Sequence, residues 1–122
     1  MLDNLFSTNS IIGASMQVAS LRNEVITNNI ANVDVPNFKK SVVKFEDMLN
    51  KELENSKITG NINLNNLHPY ISVTKNNLST RLDGNNVDIE TEMVDLYNNA
   101  SKYEVMSNSI VANYKRISSV LV

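Results

Sequence analysis

Counting by alternating fours and threes from Ile89 reaches Met93, Leu96, Ala100, Tyr103, Ser107, Ile110, Tyr114, Ile117 and Leu121. All of these but Ser107 are apolar or aromatic. An apolar repeat averaging about 3.5 residues is the seam of a long, supercoiling helix rather than the broader face of a small globular one. Asp88 stands where an N-cap is needed, and Glu90 and Glu92 put negative charge at the positive end of the helix dipole. Lys115 and Arg116 sit near the other end, where positive charge is favoured. The pattern predicts a helix of about 34 residues, roughly 50 Å long.

The same alternation runs through Ile12, Met16, Ala19, Asn23, Ile26, Ile30 and Val33, with Asn23 the one polar position. A second stripe, Ile11, Ala14, Val18, Leu21 and Val25, lies beside it, so this first helix has an apolar surface wide enough for more than one neighbour. Asn9 or Ser10 can cap its start. Pro36 ends it, because proline pushes Val35 out of the helical region. Phe45, Met48, Leu49 and Leu53 predict a short helix from about residue 44 to residue 54. From 55 to 86 the chain carries nine asparagines, Gly60, Gly84 and Pro69, and reads as loop with extended pieces, among them a hairpin of 70–75 with 78–82 turning at Asn76 and Asn77.

The expected fold is therefore mainly α. Two long N- and C-terminal helices pack as a coiled-coil-like pair, with a short helix and a loop or β-hairpin-like segment between them. Residues 1–37 and 88–122 form the helical core, and 38–87 form a polar, partly extended insertion with too little apolar surface for a core of its own. One helical hairpin cannot bury Leu21, Val25, Ile26 and Ile30 together. At about 25 cal/mol per Å² of apolar surface, what stays in water favours self-association or docking onto other subunits. A secreted helical-hairpin binding module that does not polymerise is the alternative.

Composition narrows the choice. The chain has 122 residues, about one domain, and 11 basic against 13 acidic residues give a net charge of −2. That balance offers no long-range attraction to nucleic acid or to an anionic membrane. No cysteine and a single histidine, His68, rule out disulfides, His-Cys metal clusters and Cys-His nucleophile pairs within one chain. Residues 4–21 carry no charge, but no Lys or Arg precedes them and Ser7, Thr8, Asn9, Ser10, Ser15, Gln17 and Ser20 interrupt them, which does not fit a signal peptide. No apolar run approaches the length of a membrane span.

Candidate chemistry is sparse. His68 has no local partner and reads as a loop histidine. Asp34, Asp88, Glu90 and Glu92 could in principle face a cation, yet they fit a solvated helix start better. Lys39, Lys40 and Lys44 read as a solvated basic face, and Tyr103 and Tyr114 as seam residues with their hydroxyls at the edge. Asn28, Asn29 and Asn32 are placed to bond exposed carbonyls at a helix end or to meet another subunit. Asp83-Gly84-Asn85 is a turn that reverses the chain before the last helix. No catalytic, cofactor or metal residue is expected.

The stretch Asn28-Asn29-Ile30-Ala31-Asn32-Val33-Asp34-Val35-Pro36-Asn37-Phe38-Lys39-Lys40 resembles the signature of bacterial flagellar rod, hook and hook-associated axial proteins. It departs from that signature at Val35, where Thr is usual, and at Asn37, where Gly is usual; Asn is the non-glycine residue best able to take a positive φ. Leu21 to Ile26, Phe45-Glu46-Asp47, Leu67-His68-Pro69 and Asp83-Gly84-Asn85-Asn86-Val87-Asp88-Ile89 with Glu92-Met93 are similar, in the same order, to the basal-body rod family, most of all its proximal FlgB type.

The resemblance implies a non-enzymatic structural rod subunit without cofactors, exported by the flagellar type III apparatus with no cleaved signal peptide. It implies a place in the basal body. The implied partners are other rod proteins, the rod-to-export-gate adaptor, the membrane ring or export gate and further copies of the chain. Nucleic acid and small-molecule substrates are not among them. The family motif residues are Asn28, Asn29, Ala31, Asn32, Pro36, Phe38, Lys39, Asp83, Gly84, Asn85, Asn86, Val87 and Asp88. The assembly seam is expected at Ile12, Met16, Ala19, Ile26, Ile30, Ile89, Met93, Leu96, Ala100, Tyr103, Ile110, Tyr114, Ile117 and Leu121.

Overall fold

The computed structural model describes residues 2–60, 62–63, 66–74 and 81–120, the side chains of 2–7 and 59 excepted. Helix α1 (Leu2–Ala31) packs along α3 (Ile89–Val120); between them come β1 (Ser41–Lys44), α2 (Glu46–Thr59) and β2 (Tyr70–Val73). The chain is mainly helical, as the apolar periodicity predicts.

Element ends follow local chemistry. Helix α1 starts at Leu2 rather than at an Asn9 or Ser10 cap, because no Gly or Pro interrupts residues 2–12. The Asn9 side chain instead accepts a hydrogen bond across the helix pair, from Asn113 Nδ2 at 2.8 Å. The last turn of α1 closes when Asn32 Nδ2 donates to Asn28 O at 2.7 Å, four residues before Pro36. Helix α2 runs five residues past the expected 54, up to Gly60. That glycine, at φ 77°, takes the left-handed cap and donates its N–H to Ser56 O at 2.7 Å. At α3 the expected cap is present: Asp88 Oδ1 accepts from Glu90 N at 3.0 Å and Thr91 N at 3.3 Å.

The strand expected at 70–75 is present over Tyr70–Val73 and pairs antiparallel with β1, in the register Ser41↔Val73 to Lys44↔Tyr70. The rest of the expected hairpin, its turn at Asn76 and Asn77 and all of 78–82 up to residue 80, lies outside the described residues, and Leu82 lies in the turn before α3. Val42 and Val43 are β-branched and half-buried or buried, which suits them to a ladder against Ile71 and Ser72.

Val18, Val25, Val43, Phe45 and Leu67 form the core, with Leu21 and Leu49 packed against them. The middle segment thus solves the problem posed by the wide apolar surface of α1. One side of α1 meets α3, and β1 with the loop around Leu67 covers the other. A segment too polar for a core of its own shares that of α1.

Within the chain, α3 turns a partly polar line toward α1. Glu92 and Asn99 are buried, and Leu96, Met106, Ile110, Asn113 and Ile117 are half-buried. Ile89, Met93, Ala100, Tyr103 and Tyr114 of the expected seam are exposed, so the two tyrosines are not core residues of the single chain. On α1, Ala19 and Ile26 are buried and Ile12, Met16 and Ile30 half-buried; Leu121 lies outside the described residues.

Candidate functional site

The two motif stretches, 28–40 and 83–88, meet where α1 ends and α3 begins. Their junction is built around Asn85, which is 0% exposed. A chain leaving a helix has carbonyls without intrahelical partners. Asn85 Nδ2 lies 3.0, 2.9 and 2.9 Å from the carbonyl oxygens of Asn32, Val33 and Val35 and donates to all three. Its Oδ1 accepts from Val87 N at 2.7 Å, and its own N–H donates to Asp83 Oδ1 at 3.0 Å. One amide therefore satisfies the end of α1 and folds the turn that leads into α3.

Backbone hydrogen bonds complete the clasp. Asn37 N donates to Asp83 O at 2.9 Å and Asn86 N to Phe38 O at 3.3 Å. Lys39 Nζ donates to Gly84 O at 2.6 Å, and Lys40 N to Asn86 Oδ1 at 2.7 Å. Asn37 has φ 60°, the left-handed turn conformation that its residue type allows. Gly84, at φ 76°, faces it; a Cβ there would lie 2.6 Å from Asn37 Oδ1. Arg81 reaches over the rim, donating to Val33 O and pairing with Asp83, both at 2.9 Å.

One turn back along α1, Asn29 is 1% exposed and links three elements. Its Nδ2 donates to Ser41 O at 2.8 Å and to Glu92 Oε2 at 3.0 Å, while its Oδ1 accepts from Ser41 N at 2.9 Å. The carboxamide thus acts as a strand partner for the outer edge of β1. Glu92, buried in α3, also pairs with Lys40 Nζ at 3.1 Å. Lys39 and Lys40 are tethers to Gly84 and Glu92 rather than a solvated face, because carbonyl and carboxylate partners come from far along the sequence.

Of the other motif residues, Phe38 is half-buried and Val87 buried, while Ala31 and Pro36 are exposed. The exposed Asn28 offers its carbonyl to Asn32. Asp88 caps α3, and the Thr91 amide first, with the Glu90 amide, holds its carboxyl below the ordinary value of 3.8 against the opposing effect of desolvation. For Glu46 burial acts upward, but its own backbone amide and the Arg22 guanidinium at 2.6 Å outweigh it and hold the carboxyl below the usual range. His68 is exposed, as is Asp34. Among the described residues, three or more His, Cys, Asp or Glu side chains nowhere gather closely enough to hold a metal ion. The polar groups of the junction are spent on one another, so what this arrangement does is fasten α1, β1 and α3 in one register.

Comparison with known proteins adds the family. A profile described as "Flagella basal body rod protein" matches residues 15–39, the second half of α1 with Asn29 and the turn carrying Asn32 and Asn37. The flagellar basal body rod protein FlgB of Borrelia hermsii is 37% identical over 126 aligned residues, covering 87% of this chain and 89% of that protein. The chain belongs to the FlgB-type rod protein family. The FlgB of Bacillus subtilis is 32% identical, with 84% of each chain covered, and that of Borreliella burgdorferi 34% identical over 87% of this chain. The profile covers one half of the clasp of this rod-family chain; Asp83 to Asp88, the other half, lies outside it.

The motifs include Asn29, Lys40, Asn85, Asp88 and Glu92, but Lys40 and Glu92 carry no expected part in the junction, and Ser41 and Asn99 fall outside the motifs. One signal was available in the sequence. Glu92, Asn99, Met106 and Asn113 recur at intervals of seven, which puts them on one line of α3. Asn99 Nδ2 donates to Ala19 O at 2.7 Å on that line, just as Glu92 meets Asn29.

Proposed function

We propose that this chain is a structural subunit of the bacterial flagellar rod, built to pack side by side with other subunits through the faces of its long helices. The observation that carries the reading is the outward side of α3, where Ile89, Met93, Val94, Tyr97, Val111 and Tyr114 are all exposed. Apolar residues repeated along a helix of this length fit contact with neighbours better than contact with water. Family membership supplies the setting, the basal-body rod. On this reading the chain reaches the rod through the flagellar type III apparatus without a cleaved signal, and has a structural rather than catalytic role. Its neighbours are other rod proteins, the adaptor between rod and export gate, the membrane ring or the gate, and further copies of itself. No helix among the described residues is long and apolar enough to cross a membrane, which suits a subunit that packs on protein.

The test is electron microscopy of cells and isolated basal bodies after the gene is deleted and restored in the source bacterium. Loss of rod, hook and filament, with rescue, is the expected result. Normal flagella after deletion would overturn the reading.

A further inference from the structure

The side of α3 opposite its exposed stripe carries a hollow. A cavity of about 460 Å³ opens between α1, α3 and the start of α2, lined chiefly by Val18, Phe45, Leu49, Val105 and Met106. Asn99 also lines it, and this 95% buried side chain keeps its Oδ1 without a hydrogen-bond partner, although its Nδ2 is used on Ala19. Its lining is apolar and its rim carries basic side chains, so the hollow is complementary to an apolar surface that brings negative charge.

The stripe on the same helix has that make-up. Ile89, Met93 and Ala100 run beside a line formed by Glu90, Tyr97, Glu104 and Val111, each seven residues after the last. Tyr97 is 74% exposed and holds a hydroxyl donor in the middle of the apolar stretch. Glu90 and Glu104 flank it with negative charge, whereas Arg22 and Lys102 stand at the rim of the hollow, where Arg22 already pairs with Glu46. Met93 and Lys102 are nine residues apart, which at about 100° per residue places them on opposite sides of α3.

We infer that the occupant of the hollow is the α3 stripe of a second copy of this chain, in a head-to-tail contact. Stripe and hollow are different surfaces on opposite flanks of one helix. Each copy therefore keeps a free stripe and a free hollow after pairing, and the contact continues as an open row rather than closing as a symmetric dimer. The inference rests on the rod-subunit reading and specifies which surfaces of neighbouring copies meet.

Because the chain has no cysteine, the contact can be read by cross-linking in assembled basal bodies. Met93 and Val105 are 52% and 65% exposed and about 18 Å apart along α3, beyond the reach of a short bis-maleimide within one chain. Cells carrying the double variant Met93→Cys/Val105→Cys, treated with a short bis-maleimide, should yield a ladder of covalent multimers of this chain. Either single variant should stay monomeric. Dimers from Met93→Cys alone would mean that stripe meets stripe, and dimers from Val105→Cys alone that hollow meets hollow; each overturns the inference. Basal bodies that form normally with the double variant yet give no ladder also overturn it while leaving the rod reading intact. Intact flagella on deletion of the gene would overturn that reading itself.

Charge exchange gives a second test that does not depend on thiol chemistry. Met93→Lys and Val105→Glu should each abolish swarming, and the two together should restore it. No recovery in the paired variant, with each chain as helical as the parent, would overturn the inference.

Discussion

Asn85 holds three carbonyls from the end of α1 with one amide, and is itself wholly buried. Asn85→Ala is expected to destabilise the chain by about 2–4 kcal/mol, measured by denaturant unfolding. Asp88 works at the surface, and its contribution is tied to ionisation. Its folded-state carboxyl lies below the ordinary 3.8, so the stabilisation is complete above that value and is lost as pH falls through the lowered one. Asp88→Asn keeps the cap and removes the titration. Helicity of the variant followed by circular dichroism from about pH 5 to pH 2 should fall less than that of the parent. The cap at Asp88 and the turn at Asp83-Gly84-Asn85 could be read in the sequence, because both are local chemistry. The hold of Asn85 on the end of α1 could not, since its carbonyl partners lie 50 to 53 residues back, and nor could the roles of Lys39, Lys40 and Glu92. Their partners lie 45 and 52 residues away, and only the fold brings them together.

At the level of elements, the glycines separate two kinds of requirement. Gly13 lies inside α1 with nothing within 4 Å of an added Cβ, so Gly13→Ala should raise stability by about 0.5–1 kcal/mol. Gly84 takes φ 76° against the side chain of Asn37, and Gly84→Ala should lower it by about 1–2 kcal/mol. Thermal unfolding of the two variants should therefore move in opposite directions. The helices were legible because apolar spacing and capping residues are recorded locally. The pairing of β2 with β1 was not, since Asn76 and Asn77 advertise a local turn while Ser41–Lys44 is one helix away. The rotation of α3 was hidden for a related reason. A stripe of apolar residues shows that a helix has a packing face, but not whether its own chain or a neighbour fills it.

For the molecule as a whole, α3 separates its duties by face. Glu92, Asn99 and Asn113 hold it to α1 by hydrogen bonds, and the exposed Met93, Val94, Tyr97, Val111 and Tyr114 point elsewhere. Folding and assembly should then be separable by mutation. Tyr97→Glu, at an exposed position, is expected to shift unfolding by no more than about 0.5 kcal/mol while abolishing swarming, a contrast read by denaturation beside a soft-agar assay.

The clasp at Asn85 has a further consequence for how such a chain can vary in length. It fixes both ends of the middle segment, joining Asn32 to a residue 53 positions later, so the register of the long helices is set without reference to what loops out between. Closing a flexible loop costs only about 0.6 kcal/mol more for each doubling of its length. Residues inserted between α2 and β2 would thus leave the helix pair almost untouched, and the junction works as a socket into which a longer or shorter middle segment can be fitted.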